Sequence, residues 1–551
     1  MAYDRVMTIR PVLLVPLALL VVTFAARSAP AQANGDTDFE KGRKRYEECL
    51  GRAPFLMHTR GRDALARTRD PRALEILAAS YRKPGQPREQ ARYLIAGIAA
   101  RHCVGDEHVE IYDAWREQYD DAEDAWLWYR ALTVRGLNRG GESLEELALS
   151  KEDAFLRGAA IEALAAIRDK GLLDLIPRVC ERMPKKPHER AALMGALGTA
   201  LAATARGEKD TPRFRAAVVA FAHMLDEEHD LSGPAKLVVA RHLAQVLGVD
   251  ELIIESQAWI NLLANRANRS AHDDLYVRPR FFGLEATGAR ICYVIDMSDS
   301  MCKEINPALK PEGPKTGPTK KKKKKKKGEL PTEEDIPWHL ITTRFDLARE
   351  HLRISLAQLD SEQSFSVIFF GNKADLVEDC KGMVPAKPSN VARVMKALDA
   401  IETGSPTTMR PDGTLRGTTN LHGGLRRAFM VKKKGFVTEH AYVDRVTFEE
   451  GCDTIFLLSD GLPSWDDWDC MDTNYGEDQV GDPESHVPQE SAPRMHYSGP
   501  YARMENLIED LERMNLFREV EINCIGIGEA RLDFLRRLAA IGQGDAVLIG
   551  G

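Results

Sequence analysis

The sequence predicts two architectures in one chain: an all-α amino-terminal half and a carboxyl-terminal half built as a doubly wound, mostly parallel α/β sheet. At roughly 150 residues per domain, the length of 551 residues calls for more than one domain. From about Phe39 to Asn268, apolar residues recur at three- and four-residue spacing, the period of helices with one buried face. After about Tyr276 the period changes, and short runs of β-branched and aromatic residues alternate with amphipathic stretches. Strands that are apolar throughout are buried on both faces, which is the mark of a parallel sheet covered by helices. The predicted divisions are residues 1–33, 34–275 and 276–551.

The first division is expected to be a signal peptide. Arg5 and Arg10 precede an apolar run from Val12 to Ala26, and Ala31-Gln32-Ala33 offers a small-x-small cleavage site. The run contains Pro16 and falls short of the ~20 residues of a spanning helix. The expectation is an exported protein, periplasmic, envelope-associated or secreted, with an uncleaved membrane anchor as the alternative. A composition of 44% hydrophobic and 29% charged residues argues against a disordered chain or a multi-pass membrane protein. The net charge of −7 gives no basic surface for nucleic acid. None of the nine cysteines forms a CxxC pair, so neither a structural zinc site nor a dithiol redox motif is expected. Cys292 and Cys524 lie in apolar runs and are expected to be buried.

In the second division, Pro71, Pro84-Gly85, Gly140-Gly141, Pro184 and Gly233-Pro234 separate amphipathic segments of about 10 to 18 residues. Leu65, Leu74, Ile76 and Leu77, and Leu156, Ile161, Leu164 and Ile167, mark the core-facing positions. The segments Pro87–Cys103, Ser150–Ala166 followed by Leu172–Cys180, and Pro234–Leu247 share a texture that resembles the HEAT-like repeat, paired helices stacked into a solenoid. The alternative is a non-repetitive bundle.

In the third division the predicted strands are Ile291–Ile295, Phe365–Phe370, Thr454–Leu458, Ile522–Ile527 and Ala546–Ile549. The helices between them fall near Arg344–Gln358, Val391–Ile401, Leu421–Phe429, Ala502–Asn515 and Leu532–Ile541. Functional groups in such folds gather at the carboxyl ends of strands. Asp296-Met297-Ser298-Asp299-Ser300 follows the first strand, Gly417-Thr418-Thr419-Asn420 precedes a helix, and Ser459-Asp460-Gly461 follows the third strand. This set resembles the von Willebrand factor A domain and its metal-ion-dependent adhesion site, an Asp-x-Ser-x-Ser segment with a distant Thr and a distant Asp, over residues 276–551.

The resemblance implies a Rossmann-like fold and a metal held by Asp296, Ser298, Ser300, Thr419 and Asp460. It also implies a protein partner that brings a carboxylate to that metal. Two carboxylates with three hydroxyls make a hard, all-oxygen shell suited to Mg²⁺, with Mn²⁺ or Ca²⁺ as alternatives. Asp299 stands where the family commonly has Gly, which puts the charge of the partner in question.

Enzyme readings find little support. The haloacid-dehalogenase Asp-x-Asp would need a carboxylate where Ser298 stands. There is no Gly-x-Ser-x-Gly elbow for His422-Gly423-Gly424 to serve, no His-Glu-x-x-His, and no phosphate-binding Gly-rich loop. The expected function is a non-catalytic, metal-dependent binding or adhesion protein. One alternative is a scaffold whose helical repeats bind the partner; a metal-dependent hydrolase is the residual one.

Two insertions interrupt the third division. Residues 303–337 contain the eight-lysine run Lys320–Lys327, and residues 464–490 carry nine acids with no Lys or Arg. Both follow strand ends and are expected beside the metal site, where the lysines either fold over the acidic loop or stand apart as solvated charge. The lysine run also suits an anionic envelope or polysaccharide. Cys302 and Cys470 are the expected disulfide pair on that face. Trp259 and Arg278–Gly283 are expected to form the junction between the halves.

Overall fold

A computed structural model describes residues 32–51, 55–83, 89–208, 211–264, 278–309, 331–401, 418–438, 440–468 and 503–550. Residues 1–31 of the expected signal peptide, the lysine run, Cys470 and most of the acidic insertion lie outside them.

The described chain is mixed α/β with a separate helical region. Thirteen α-helices run between Gln32 and Leu263. Their starts follow local chemistry. Asp70 accepts from Arg72 N–H at 2.9 Å with Pro71 in the first turn, Asp153 accepts from Phe155 N–H at 2.7 Å, and Ser232 accepts from Ala235 N–H at 3.4 Å ahead of Gly233–Leu247. Their apolar faces form one continuous core that includes Leu65, Leu74, Leu77, Ile161, Leu164 and Trp259.

Among the described residues nine strands follow: β1 Arg280–Phe281, β2 Leu284–Glu285, β3 Arg290–Asp296, β4 Ser364–Phe370, β5 Ala374–Leu376, β6 Val384–Pro385, β7 Thr454–Ser459, β8 Glu521–Ile527 and β9 Ala546–Ile549. β1 and β2 form a small hairpin, and the others form one sheet in the order β5-β4-β3-β7-β8-β9, with β6 also on β4. The pairs among β4, β3, β7, β8 and β9 are parallel; β5 and β6 run antiparallel to β4. Alternate residues of each strand enter opposite cores. Ile291, Tyr293 and Ile295 face one side of β3, and Cys292 and Val294 face the other. That double burial is why the strands are apolar throughout. Cys292 and Cys524 are buried, as expected.

The chain leaves β3 for β4 on one side and later returns to β7 on the other. The order therefore reverses between β3 and β7, the crevice where α/β sheets place ligands. The helix Leu421–Met430 packs close over β3 and β4 because Gly424 carries no side chain. A Cβ there would stand 2.8 Å from Phe370 Cδ1 and 2.9 Å from Val294 Cγ1. Gly424→Ala is expected to destabilise by about 1–2 kcal/mol, since overpacking of ~1–3 kcal/mol exceeds the helix-propensity gain of up to ~1 kcal/mol. Urea denaturation checks this.

The expected junction is corrected by the packing. Phe281 packs on Tyr293 and Phe456, each at 5.5 Å, and Phe282 stacks on His351 at 3.7 Å, all inside the sheet region. Trp259 lies in the helical core. Short apolar segments beside a linker pack onto whichever core is nearest, and here that is their own. The contact between halves is made elsewhere: Tyr442, Val443, Trp468, Leu516 and Phe517 complete the helical core. Phe517 meets Phe155 at 5.4 Å, Trp126 N–H donates to Tyr442 Oη at 3.2 Å, and Arg101 pairs with Glu509 at 2.5 Å.

Candidate metal centre

The carboxyl ends of β3 and β7 carry the two acids. Asp296 ends β3 in full burial, and its Oδ1 accepts Ser298 N–H at 2.8 Å. Its Oδ2 accepts the Ser459 hydroxyl, also at 2.8 Å. Ser298 opens a short 3₁₀ turn, Asp299–Cys302, so that Ser298 Oγ lies 3.0 Å from Ser300 Oγ. Ser300 Oγ donates in turn to Asp460 Oδ1 at 2.6 Å. Asp296, Ser298, Ser300 and Asp460 thus sit in one short chain of polar contacts at the switch point between β3 and β7.

Thr419 arrives on the adjoining segment. Asn420 N–H donates to Gly371 O at 3.0 Å, just past the end of β4, and Asn420 Oδ1 caps the following helix at Gly423 N–H, 2.8 Å. Thr419 N–H donates to Ser464 Oγ at 3.1 Å and its carbonyl accepts Ser464 N–H at 3.2 Å. The loop bearing Asp460 therefore pins Thr419 through its backbone.

Burial and the neighbouring Asp460 carboxylate push the Asp296 carboxyl up to about 7. Asp460 has a cationic partner: Arg344 Nη1 donates to its Oδ2 at 2.6 Å, and Arg344 Nη2 meets Glu529 at 2.8 Å. Among the described residues, no group of three or more His, Cys, Asp and Glu side chains is placed to hold a metal ion. The donors here are two carboxylates and hydroxyls, which suit a hard divalent cation and no soft one. Two buried acids linked through hydroxyls, one lacking a cationic neighbour among the described residues, fit such an ion.

Sequence reasoning did not find Ser459, Arg344 or Glu529. Ser459 adjoins Asp460, and its alternation with Leu458 puts it toward Asp296. Arg344 and Glu529 carry no sequence signal, being brought in by tertiary structure. His422 is fully buried with both ring nitrogens engaged: Nδ1 accepts Asp467 N–H at 3.1 Å, and Nε2 contacts Asp510 at 2.9 Å. Comparison with family models, curated proteins and solved structures gives no match.

Proposed function

We propose that this chain is a non-catalytic binding protein of the von Willebrand factor A type, whose metal site takes a carboxylate of a protein partner. The observation that carries this is the burial of Asp296 and Asp460 side by side, linked through Ser298 and Ser300 at the strand-order reversal. Asp296, Ser298, Ser300, Thr419 and Asp460 would hold Mg²⁺, or Mn²⁺ or Ca²⁺. When bound, the ion supplies positive charge that an acidic side chain can join. Ser459 orients Asp296, and Asn420 and Ser464 hold Thr419 in place. The HEAT-like half would offer the extended surface beside this site. The basic-then-apolar run from Arg5 to Ala26 supports export; no helix among the described residues is long and apolar enough to cross a membrane.

Calorimetric titration of Mg²⁺ and Mn²⁺ into the full chain and Asp296→Ala tests the reading. One-to-one binding that the variant loses is the expected result; heat-silent titration of both proteins removes the reading. A second reading, a scaffold in which the helices bind and the sheet region braces them, is favoured by the core that runs unbroken into Tyr442 and Phe517. Partner binding by the full chain that survives both chelation and Asp296→Ala would select it.

A further inference from the structure

We propose that Arg344 is a built-in counter-ion, which in the metal-free protein stands in for the charge of the divalent cation and sets how tightly the site takes one. The proposal rests on the metal reading above.

Arg344 is the first residue of the helix Arg344–Gln358, which Thr343 caps by accepting Asp346 N–H at 3.2 Å. Its backbone N–H donates to Lys303 O at 3.0 Å, tying the helix start to the segment that carries Ser298 and Ser300. The side chain is 8% exposed and spans two carboxylates, Asp460 at 2.6 Å and Glu529 at 2.8 Å. The backbone is shaped around it. Gly528 has φ +65°, and a Cβ there would lie 2.6 Å from Arg344 Nη2 and 2.7 Å from Cζ. A side chain at 528 would therefore be strained by its own backbone and would strike the guanidinium. Gly528 thus leaves open the space that the guanidinium occupies between Asp460 and Glu529.

The electrostatics give this position a consequence. A buried guanidinium needs carboxylate partners, and a divalent ion drawn to Asp460 Oδ1, on the Ser300 side, would share the negative charge that Arg344 holds through Oδ2. The two cations also repel each other at short range in a weakly screened site. Cation entry thus competes with the Asp460–Arg344 pair for the charge of one carboxylate. Glu529 is 66% exposed at the rim and is shared with Lys303 at 3.4 Å. It is the carboxylate that keeps Arg344 paired while Asp460 turns to the metal. Arg344 raises the threshold for metal, and Glu529 lowers it again.

The two variants therefore move in opposite directions. In calorimetric titrations of the full chain, Arg344→Met, which keeps the apolar stem and loses the charge, binds Mn²⁺ at least tenfold tighter than wild type. Glu529→Gln binds it severalfold more weakly. In chelator, Arg344→Met melts at a lower temperature than wild type, because Asp460 loses its partner. Circular dichroism confirms the fold of each variant, and the exposed position of Glu529 keeps that arm readable if Arg344→Met fails to fold. Equal or weaker Mn²⁺ affinity in a folded Arg344→Met, or unchanged affinity in Glu529→Gln, overturns the proposal while wild-type binding leaves the metal reading standing. No Mn²⁺ binding by wild type or either variant overturns the metal reading itself.

Discussion

Asp510→Asn is expected to destabilise the protein by about 3–5 kcal/mol, the range for breaking a buried ion pair by removing one partner. Asp510 is 2% exposed on the helix Met504–Asn515, where Arg513 Nε donates to it at 2.7 Å and His422 Nε2 contacts it at 2.9 Å. Arg513 is 3% exposed, and its guanidinium lies 3.9 Å from the Tyr93 ring and 5.2 Å from that of Tyr442. Cation–π contact alone is worth up to ~2 kcal/mol when desolvated, too little to hold a buried charge. Neutralising Asp510 strands that charge between the two halves. Arg513 and His422 hold the Asp510 carboxyl well below the usual carboxylate range, against the burial that opposes them. The pair's stabilisation is therefore fully present above the unfolded value of 3.8 and is lost as pH falls through the lower folded value. Denaturant midpoints at pH 7 and at stepped pH below 4 check both statements. A loss under 1 kcal/mol in Asp510→Asn would show that Arg513 finds another partner or reaches water.

The same cluster joins the candidate metal centre to the helical half. Past Asp460, the loop crosses the helix Leu421–Met430, where Asp467 N–H meets His422 and its carboxylate pairs with Arg426. Trp468 then stacks on His422 at 4.0 Å and packs against Phe55 of the helical half at 5.5 Å. One short loop thus begins at a candidate ligand and ends in the helical core. The path from Asp460 to the helical half therefore ends in the buried side chains of Asp467 and Trp468.

How much of this was legible follows from the range of each interaction. The strands β3, β4, β7, β8 and β9 and the helices Arg344–Gln358 and Leu532–Ile541 were readable because double burial imposes long apolar runs and a helical period. β5 and β6, of three and two residues, are too short to impose any. Asp296, Ser298, Ser300 and Asp460 were singled out at the ends of readable strands, and the structure places those four in one chain of polar contacts. Thr419 was singled out by its place before a helix, and its backbone is tied to Ser464, on the loop that follows Asp460. Arg344 and Glu529 lie 185 residues apart, and their meeting depends on Gly528, whose role appears only in three dimensions. The contact between halves was missed for a different reason. Glu509, Asp510 and Arg513 are charged yet buried, so periodicity assigns to solvent the face that in fact makes the interface.

Asp296→Asn is expected to raise the stability of the metal-free protein by about 1–3 kcal/mol at neutral pH, and to abolish divalent-cation binding. The carboxyl that burial and Asp460 push up to about 7 is one whose charge the fold tolerates at a cost. Each unit of such a shift corresponds to ~1.4 kcal/mol. Asn removes that charge while keeping the shape. Its carbonyl oxygen can accept Ser298 N–H in place of Oδ1, and its amide can donate to Ser459 Oγ, which accepts as readily as it donates. Ser298 N–H keeps its acceptor and one amide N–H gains Ser459 Oγ, while the second amide N–H offsets part of the relieved repulsion; the balance is net stabilisation. Thermal melts in chelator and in excess Mn²⁺ separate the two effects: the variant should melt higher in chelator and show no shift with Mn²⁺, whereas wild type gains with Mn²⁺ by mass action. A variant that melts lower than wild type in chelator would mean that Asp296 contributes more through its two hydrogen bonds than its charge costs. The carboxylate would then be a structural cap on β3 and not a strained ligand kept for a cation.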